Sequence, residues 1–288
     1  MNLTDINEIK AILARHGFRF SKALGQNFLT AAWVSEQIAA SAELDGETGV
    51  LEIGPGIGCL TRELSARAAK VVSVELDARL QPILAETLTG CENVEVVFGD
   101  ILKQDLPRLL EETMPGLRHV VCANLPYNVT SPVLTALLRS GCFETITVMI
   151  QREVARRICA SPGEADYGAF GIFVQWYMDT EILFDVPPSC FVPQPKVTSS
   201  VIRLKRRAAP PVEVADEALF FAIVRAAFNQ RRKTLVNALS AGLGLDKTAA
   251  EAAVTAAGFD PRIRGEAVPL GGFATIADEI LSQREADL

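Results

Sequence analysis

Four short stretches of this chain carry residues that could do chemistry, and each follows an apolar run. Val50-Leu51-Glu52-Ile53 runs into Gly54-Pro55-Gly56-Ile57-Gly58. Val71–Val74 ends in Glu75, and Val94–Phe98 ends in Gly99-Asp100. Val120–Ala123 ends in Asn124-Leu125-Pro126-Tyr127. In an open α/β sheet, ligands bind outside the carboxyl ends of the strands. Glycines after a first strand let the backbone turn tightly and approach a ligand. A carboxylate about 20 residues further on can take both hydroxyls of a ribose. A nicotinamide fingerprint would place glycine or alanine at position 59, where this chain has Cys59. Three strand ends in a row with ligand-type residues fit S-adenosylmethionine better than a dinucleotide. Taken alone, the glycine turn is also compatible with a structural role.

The fourth stretch suits a planar exocyclic amine. Methyl transfer from a sulfonium is an in-line displacement with a good leaving group, so the nucleophile is the difficulty. An adenine N6 lone pair is delocalised into its ring, and acceptors on its two N–H groups favour the change toward tetrahedral geometry. The Asn124 side-chain oxygen and the Leu125 carbonyl are the candidate acceptors. Pro126 fixes its own φ and stiffens the turn. Tyr127 can stack on a base, an interaction worth about 1–3 kcal/mol. The N6 proton becomes acidic once the methyl has arrived, so no general base is needed. The scarcity of histidine (only His16 and His119) is no objection.

The elements that must hold these residues follow from the pattern. Helices are expected over about 5–16 and 31–42, and strands near 50–53, 71–75, 94–98, 119–123 and 145–150. Helical stretches lie between the strands, which predicts parallel βαβ units in an α/β fold. Apolar segments at about 178–186 and 197–205 read as a closing pair of strands. Pro187-Pro188 and Pro193-Gln194-Pro195 shape the loop between them. The arrangement matches the Rossmann-like methyltransferase sheet, with an antiparallel strand at its edge. Ala208-Ala209-Pro210-Pro211 marks a boundary, giving domains 1–208 and 209–288. Beyond it the pattern is all helical, with Phe220, Val224 and Phe228 on one face and a last helix over about 272–284.

At 288 residues and 31.1 kDa the chain can hold a large domain and a small one. Mean hydropathy of +0.22 argues for a compact globular protein. No apolar run approaches a membrane span and the first residues form no signal peptide, so a cytoplasmic protein is expected. The six scattered cysteines read as free thiols, and no metal site is expected. The formal charge of −7 counts against general nucleic-acid binding. Residues 212–288 hold eight Lys and Arg against eleven Asp and Glu, so any RNA contact there must come from a concentrated strip. Arg225, Arg231, Arg232 and Lys233 form that strip, with Arg225 and Arg232 seven apart on one expected helical face. Arg152, Arg156 and Arg157 are a further cluster, equally readable as a solvated face.

The chain resembles the small-subunit ribosomal RNA adenine N6,N6-dimethyltransferase family, the bacterial KsgA type, over nearly its whole length. Gly-Pro-Gly-Ile-Gly-Cys-Leu-Thr (54–61) and Asn-Leu-Pro-Tyr-Asn-Val-Thr-Ser-Pro (124–132) carry the resemblance, with Gly25-Gln26-Asn27-Phe28-Leu29 and Gln151–Ala155. Phe191-Val192-Pro193-Gln194-Pro195-Lys196-Val197 and Phe228-Asn229-Gln230-Arg231-Arg232-Lys233-Thr234-Leu235 add to it. Positions 22–25 read Lys-Ala-Leu-Gly where the family often has Lys-Arg-Phe-Gly. The resemblance implies a class I S-adenosylmethionine-dependent methyltransferase domain with a small helical RNA-contacting domain. It implies that Asn27 and Leu29 cover the cofactor, and that the backbone at Gly54 and Gly56 passes its methionine part. Glu75 would bind the ribose and Asp100 the adenine amino group. Leu76 and Ile101 would be apolar walls, and Asn124 would lie where cofactor and substrate meet. Phe191 would be a second stacking face. The implied reaction is dimethylation of two adjacent adenosines in a 3′-terminal hairpin of 16S rRNA, during small-subunit assembly, by a monomer.

Three alternatives stay open. A large-subunit 23S rRNA adenine dimethyltransferase of the macrolide-resistance type shares fold and chemistry. A free-standing amine or protein-glutamine methyltransferase also uses Asn-Pro-aromatic turns, but would not need the basic strip. A non-enzymatic assembly factor could occupy the immature subunit.

Overall fold

The computed structural model of the chain describes residues 1–21 and 24–286. Of the two positions that depart from the family pattern, Ala23 falls outside the described residues, with Lys22, and Leu24 is described. The chain divides into two compact units, one of Met1–Ala155 with Thr180–Arg206, the other of Arg156–Asp179 with Arg207–Leu288.

The first unit is built on a seven-stranded sheet. Its strands are β1 (Thr48–Ile53), β2 (Lys70–Glu75), β3 (Val94–Phe98), β4 (Arg118–Asn124), β5 (Thr145–Gln151), β6 (Met178–Val186) and β7 (Ser199–Arg206). Their order is β3-β2-β1-β4-β5-β7-β6. β1 pairs in parallel with β2 (Val50 opposite Val71) and with β4 (Val50 opposite Val120). β3 and β5 extend the sheet in parallel on either side. The chain therefore winds outward from β1 in one direction and from β4 in the other. The crevice at that reversal is where doubly wound sheets take ligands. Every residue of β1 is buried, as expected for a strand covered on both faces.

Registers align the strand ends that carry the candidate residues. Ile53 lies opposite Val74, Glu75 opposite Phe98, and Asn124 opposite Met149. β7 is the antiparallel strand, with Met149 of β5 opposite Val201. It lies one strand in from the margin, not at the edge as the sequence pattern implied. The chain reaches the edge first as β6 and returns inside it, which adjacency in sequence cannot show.

The N-terminal helix Ile6–Arg15 is capped by Asp5, which accepts from the backbone N–H of Asn7 and Glu8. Its buried residues Ile9, Ile12 and Leu13 join the core of this unit. Further on, Phe28–Leu29 pairs antiparallel with Phe191–Val192. That two-residue ribbon ties the Gly-Gln-Asn-Phe-Leu segment to the proline-shaped loop.

The second unit is helical, with Ala169–Tyr177, Glu217–Asn229, Leu235–Leu243, Lys247–Ala256 and Leu270–Ala286. Phe220, Ile223, Leu239, Val254, Phe273 and Ile276 form its core, none of them measurably exposed. The Trp176 and Phe220 rings lie 4.6 Å apart in that core. None of the described helices is long and apolar enough to cross a membrane.

Candidate active site

A cleft opens at the carboxyl ends of β1–β4. Its walls are the glycine turn, the ends of β2, β3 and β4, and the segment Leu24–Leu29. Asn27, Leu29, Gly54, Gly56, Glu75, Leu76, Asp100, Ile101, Asn124, Leu125, Pro126 and Tyr127 all line it. Residues separated by a hundred positions thus meet because the sheet aligns their strand ends.

The turn is held from below: Gly54 N–H donates to the Val74 carbonyl at 2.9 Å and Gly58 N–H to the Pro55 carbonyl at 2.9 Å. Gly56 has φ of +60°, and a Cβ there would stand 3.1 Å from the Phe28 ring. A side chain at this position would be strained and would press on the N-terminal segment that covers the cleft.

Glu75 is 6% exposed. One carboxylate oxygen accepts from Asp77 N–H at 2.8 Å, the other from Gly56 N–H at 3.3 Å. A carboxylate has about four acceptor positions, so capacity remains for ligand hydroxyls. Burial pushes its pKa up, the two backbone donors hold it down, and the Asp77 charge adds to the rise. Asp100 accepts from Leu102 N–H at 3.0 Å and so caps the short turn Ile101–Lys103. Leu76 and Leu102 are 56% and 42% exposed, which gives the cleft apolar walls suited to a flat ring.

On the acceptor side, Leu125 N–H donates to the Met149 carbonyl at 3.1 Å, and Val129 N–H to the Pro126 carbonyl at 3.2 Å. The Thr130 hydroxyl bonds the Pro126 carbonyl at 3.2 Å. The turn is rigid on its protein side. The Asn124 side-chain amide, in contrast, makes no hydrogen bond to any other described residue. The Tyr127 hydroxyl lies 2.6 Å from the Ser199 Oγ. Phe191 is not a wall of the cleft: it is 1% exposed and sits in the core opposite Leu29.

Three features escape the sequence pattern. Glu52, at the end of β1, is 1% exposed and lines the cleft. Its Oε2 accepts from the Thr61 hydroxyl at 2.7 Å and the Ser73 hydroxyl at 2.6 Å. Burial pushes its pKa from 4.5 to about 7 against those two donors. Gln26 donates to Asp77 at 2.8 Å and accepts from Ser21 N–H at 2.8 Å, pinning the N-terminal segment beside β2. Cys59 also lines the cleft, but burial pushes its thiol up to about 12, so it offers no thiolate. Glu52 lies within the quoted glycine-turn segment and Gln26 within Gly-Gln-Asn-Phe-Leu. Their partners Thr61, Ser73 and Asp77 are fixed only by three-dimensional packing.

The charged residues among the described lining are Glu52, Glu75 and Asp100, with no Arg, Lys or His. Such a wall disfavours a pyrophosphate and suits a cationic, ribose-bearing ligand. No group of His, Cys, Asp and Glu suited to a metal occurs among the described residues.

The arginine strip lies in the helical unit. The helix carrying Arg225 ends at Asn229, so Arg231, Arg232 and Lys233 occupy the following turn and do not continue its face. Arg231 Nη2 donates to the Ala165 and Tyr167 carbonyls at 2.9 and 3.2 Å and pairs with Glu266 at 3.6 Å. Arg152 pairs with Asp185 at 3.7 Å in the first unit. Both histidines have structural partners: His16 lies 2.7 Å from Glu86, and His119 2.9 Å from the Met114 carbonyl. None of the six cysteines forms a disulfide.

A family model described as ribosomal RNA adenine dimethylase matches residues 17–263. A protein of Geobacillus thermodenitrificans named ribosomal RNA small subunit methyltransferase A is 47% identical over 277 residues, 94% of each chain. A Streptococcus pneumoniae protein of the same name is 45% identical, over 98% of this chain and 99% of its own. Among solved structures, the 23S rRNA methyltransferase ErmE superposes with a TM-score of 0.68 at 30% identity, over 88% of this chain and 99% of its own. A Plasmodium falciparum dimethyladenosine transferase superposes at 0.71 over 90% of this chain and 98% of its own; at 24% identity that likeness concerns the fold.

Proposed function

The chain belongs to the ribosomal RNA adenine dimethylase family, and from that premise we propose how its cleft and its arginine turn share the work. The enzyme is an rRNA adenine N6,N6-dimethyltransferase of the small-subunit type. It acts on two adjacent adenosines in the 3′-terminal hairpin of 16S rRNA. The observation that carries the reading is the acidic, ribose-suited wall of a cleft that is also lined by Asn124, whose amide has no hydrogen-bond partner among the described residues.

The residues present fit S-adenosylmethionine: a buried carboxylate with spare acceptors, a second carboxylate, exposed leucines, and no cation opposing a sulfonium among the described lining residues. When bound, it supplies an electrophilic methyl group. Glu75 holds the ribose hydroxyls and Asp100 the adenine amino group, while Leu76 and Ile101 flank the ring. Gly54 and Gly56 leave backbone free near the methionine part, and Asn27 and Leu29 cover it. On the substrate side, the Asn124 oxygen and Leu125 carbonyl accept from the target N6. They thereby favour its pyramidal geometry and offset the charge that develops there. Tyr127 stacks on the base, and Pro126 keeps the turn from yielding. Phe191 serves as the second stacking face only if the loop around it opens, because its ring is now in the core.

Arg225, Arg232 and Lys233 contact rRNA phosphates. Arg231 shares its guanidinium between that task and holding its own turn. The enzyme works as a monomer in the cytoplasm, where ribosomal subunits mature. A large-subunit specificity is the second reading; ErmE supports it at 30% identity, against 45–47% for the small-subunit relatives.

Labelled-methyl incorporation separates these readings. Small subunits lacking the modification should accept label, and naked 16S rRNA much less. Label entering large subunits instead would overturn the assignment.

A further inference from the structure

Tyr127 does more in this structure than present a ring. Its hydroxyl lies 2.6 Å from the Oγ of Ser199, a residue 72 positions away with no exposed surface. Ser199 opens β7, and its Cα lies opposite Gln151 at the end of β5. It is therefore set by the sheet, while Tyr127 belongs to the turn after β4. The Tyr127 ring lines the cleft and remains partly exposed. A ring that lines the cleft is thus anchored at its far end by a buried hydroxyl. Ser199 also directly follows the proline-shaped loop that carries Phe191, so the anchor stands where that loop rejoins the sheet.

Resting on the proposed site reading, we infer that Ser199 is a positioning residue for the acceptor turn: its hydroxyl fixes the tilt of the Tyr127 ring and so the plane on which the target adenine stacks. A tyrosine side chain has two principal torsions, and a hydrogen bond at the phenol end removes the freedom left after the turn fixes the Cα. Base–aromatic stacking depends on that plane, and N6 reaches the Asn124 and Leu125 oxygens only when the base is correctly inclined. The hydroxyl of Tyr127 therefore matters through Ser199, beyond the ring itself.

Ser199→Ala should lower kcat about tenfold on modification-free small subunits and leave S-adenosylmethionine affinity and thermal midpoint near wild type. Ser199→Thr, which keeps a hydroxyl on the same Cβ, should recover most of the loss. Tyr127→Phe should lose a similar factor. The double variant should lose about tenfold in total, no more than either single variant and not a hundredfold, because both changes remove one interaction. A direct readout is the phenol titration of Tyr127 followed by 13C-labelled tyrosine. The Ser199 bond lowers that pKa against a burial-driven rise, so Ser199→Ala should move it up. Wild-type turnover in Ser199→Ala, multiplicative losses in the double variant, or an unmoved phenol titration would each overturn the anchor. A wild-type chain inactive on small subunits would instead count against the site reading, and the titration would still decide the anchor.

Discussion

The cleft and the arginine turn both carry charge, yet they hold it in opposite ways. In the cleft, Glu52 and Glu75 are 1% and 6% exposed, and each is held by two protein donors. In the helical unit, Arg225, Arg232 and Lys233 are exposed, and their side chains make no ion pair with any described residue. Buried charge is costly to place, so the fold must fix it before a ligand arrives. It then acts on a few atoms at short range. Exposed charge is easily placed and adds up over several phosphates, but salt screens it. The first design suits a small cationic ligand, the second a polyanion.

Four perturbations test that contrast, and the largest effect belongs to the cleft. In the proposed site, Asn124→Ala removes an acceptor for the developing charge. It should cut kcat about 10²–10³-fold while the fold and most subunit affinity survive, as single-turnover assays and subunit binding would show. A loss confined to subunit affinity would move Asn124 out of the chemistry.

The second concerns Glu52. Its folded pKa of about 7 exceeds the ordinary 4.5, so the native state binds the proton more tightly than the unfolded chain does. Between those values stability must therefore fall as pH rises; below pH 4.5 the penalty is absent, and above 7 it is complete. The full penalty is roughly 3 kcal/mol, on 1.36 kcal/mol per pKa unit. Urea midpoints should decline from pH 5 to 7.5 in the wild type and decline less in Glu52→Gln. Parallel curves would show that Glu52 does not titrate in this range.

Third, Glu75→Ala should weaken S-adenosylmethionine binding by about 1.5–3 kcal/mol, the value of hydrogen bonds to a charged group. Unchanged affinity in calorimetry would remove Glu75 from the ribose site. The smallest effect belongs to the arginine turn. Removing one cation that neutralises a phosphate should make the salt dependence of subunit binding shallower by about one unit of slope or less. Arg225→Ala and Arg232→Ala should each show this. Arg231→Ala should also lower the thermal midpoint, because it frees the Ala165 and Tyr167 carbonyls and Glu266.

The same contrast governs what can be read from the sequence. Strand ends are legible, because apolar runs are periodic and a doubly wound sheet aligns them. Glu75, Asp100 and Asn124 can therefore be placed together without knowing the registers. The buried partners are not legible. Thr61 and Ser73 look like ordinary helix and strand residues until the fold brings their hydroxyls to Glu52. Ser199 meets Tyr127 only because β7 inserts beside β5. In the helical unit, the shared face expected for Arg225 and Arg232 fails on one detail, the end of the helix at Asn229. Gln230 turns instead, with Lys233 N–H bonded to its carbonyl at 2.8 Å. The resemblance puts Phe191 at the substrate, but its pairing with Leu29 holds it in the core.

The division between a cleft for chemistry and a turn for recognition is tested most directly by S-adenosylmethionine calorimetry on two variants side by side, Glu75→Ala and the double reversal Arg225→Glu with Arg232→Glu. The account predicts weakened affinity in the first alone, with the second indistinguishable from wild type although its subunit methylation is impaired. Equal loss of affinity in both variants, or loss only in the arginine reversal, would contradict it.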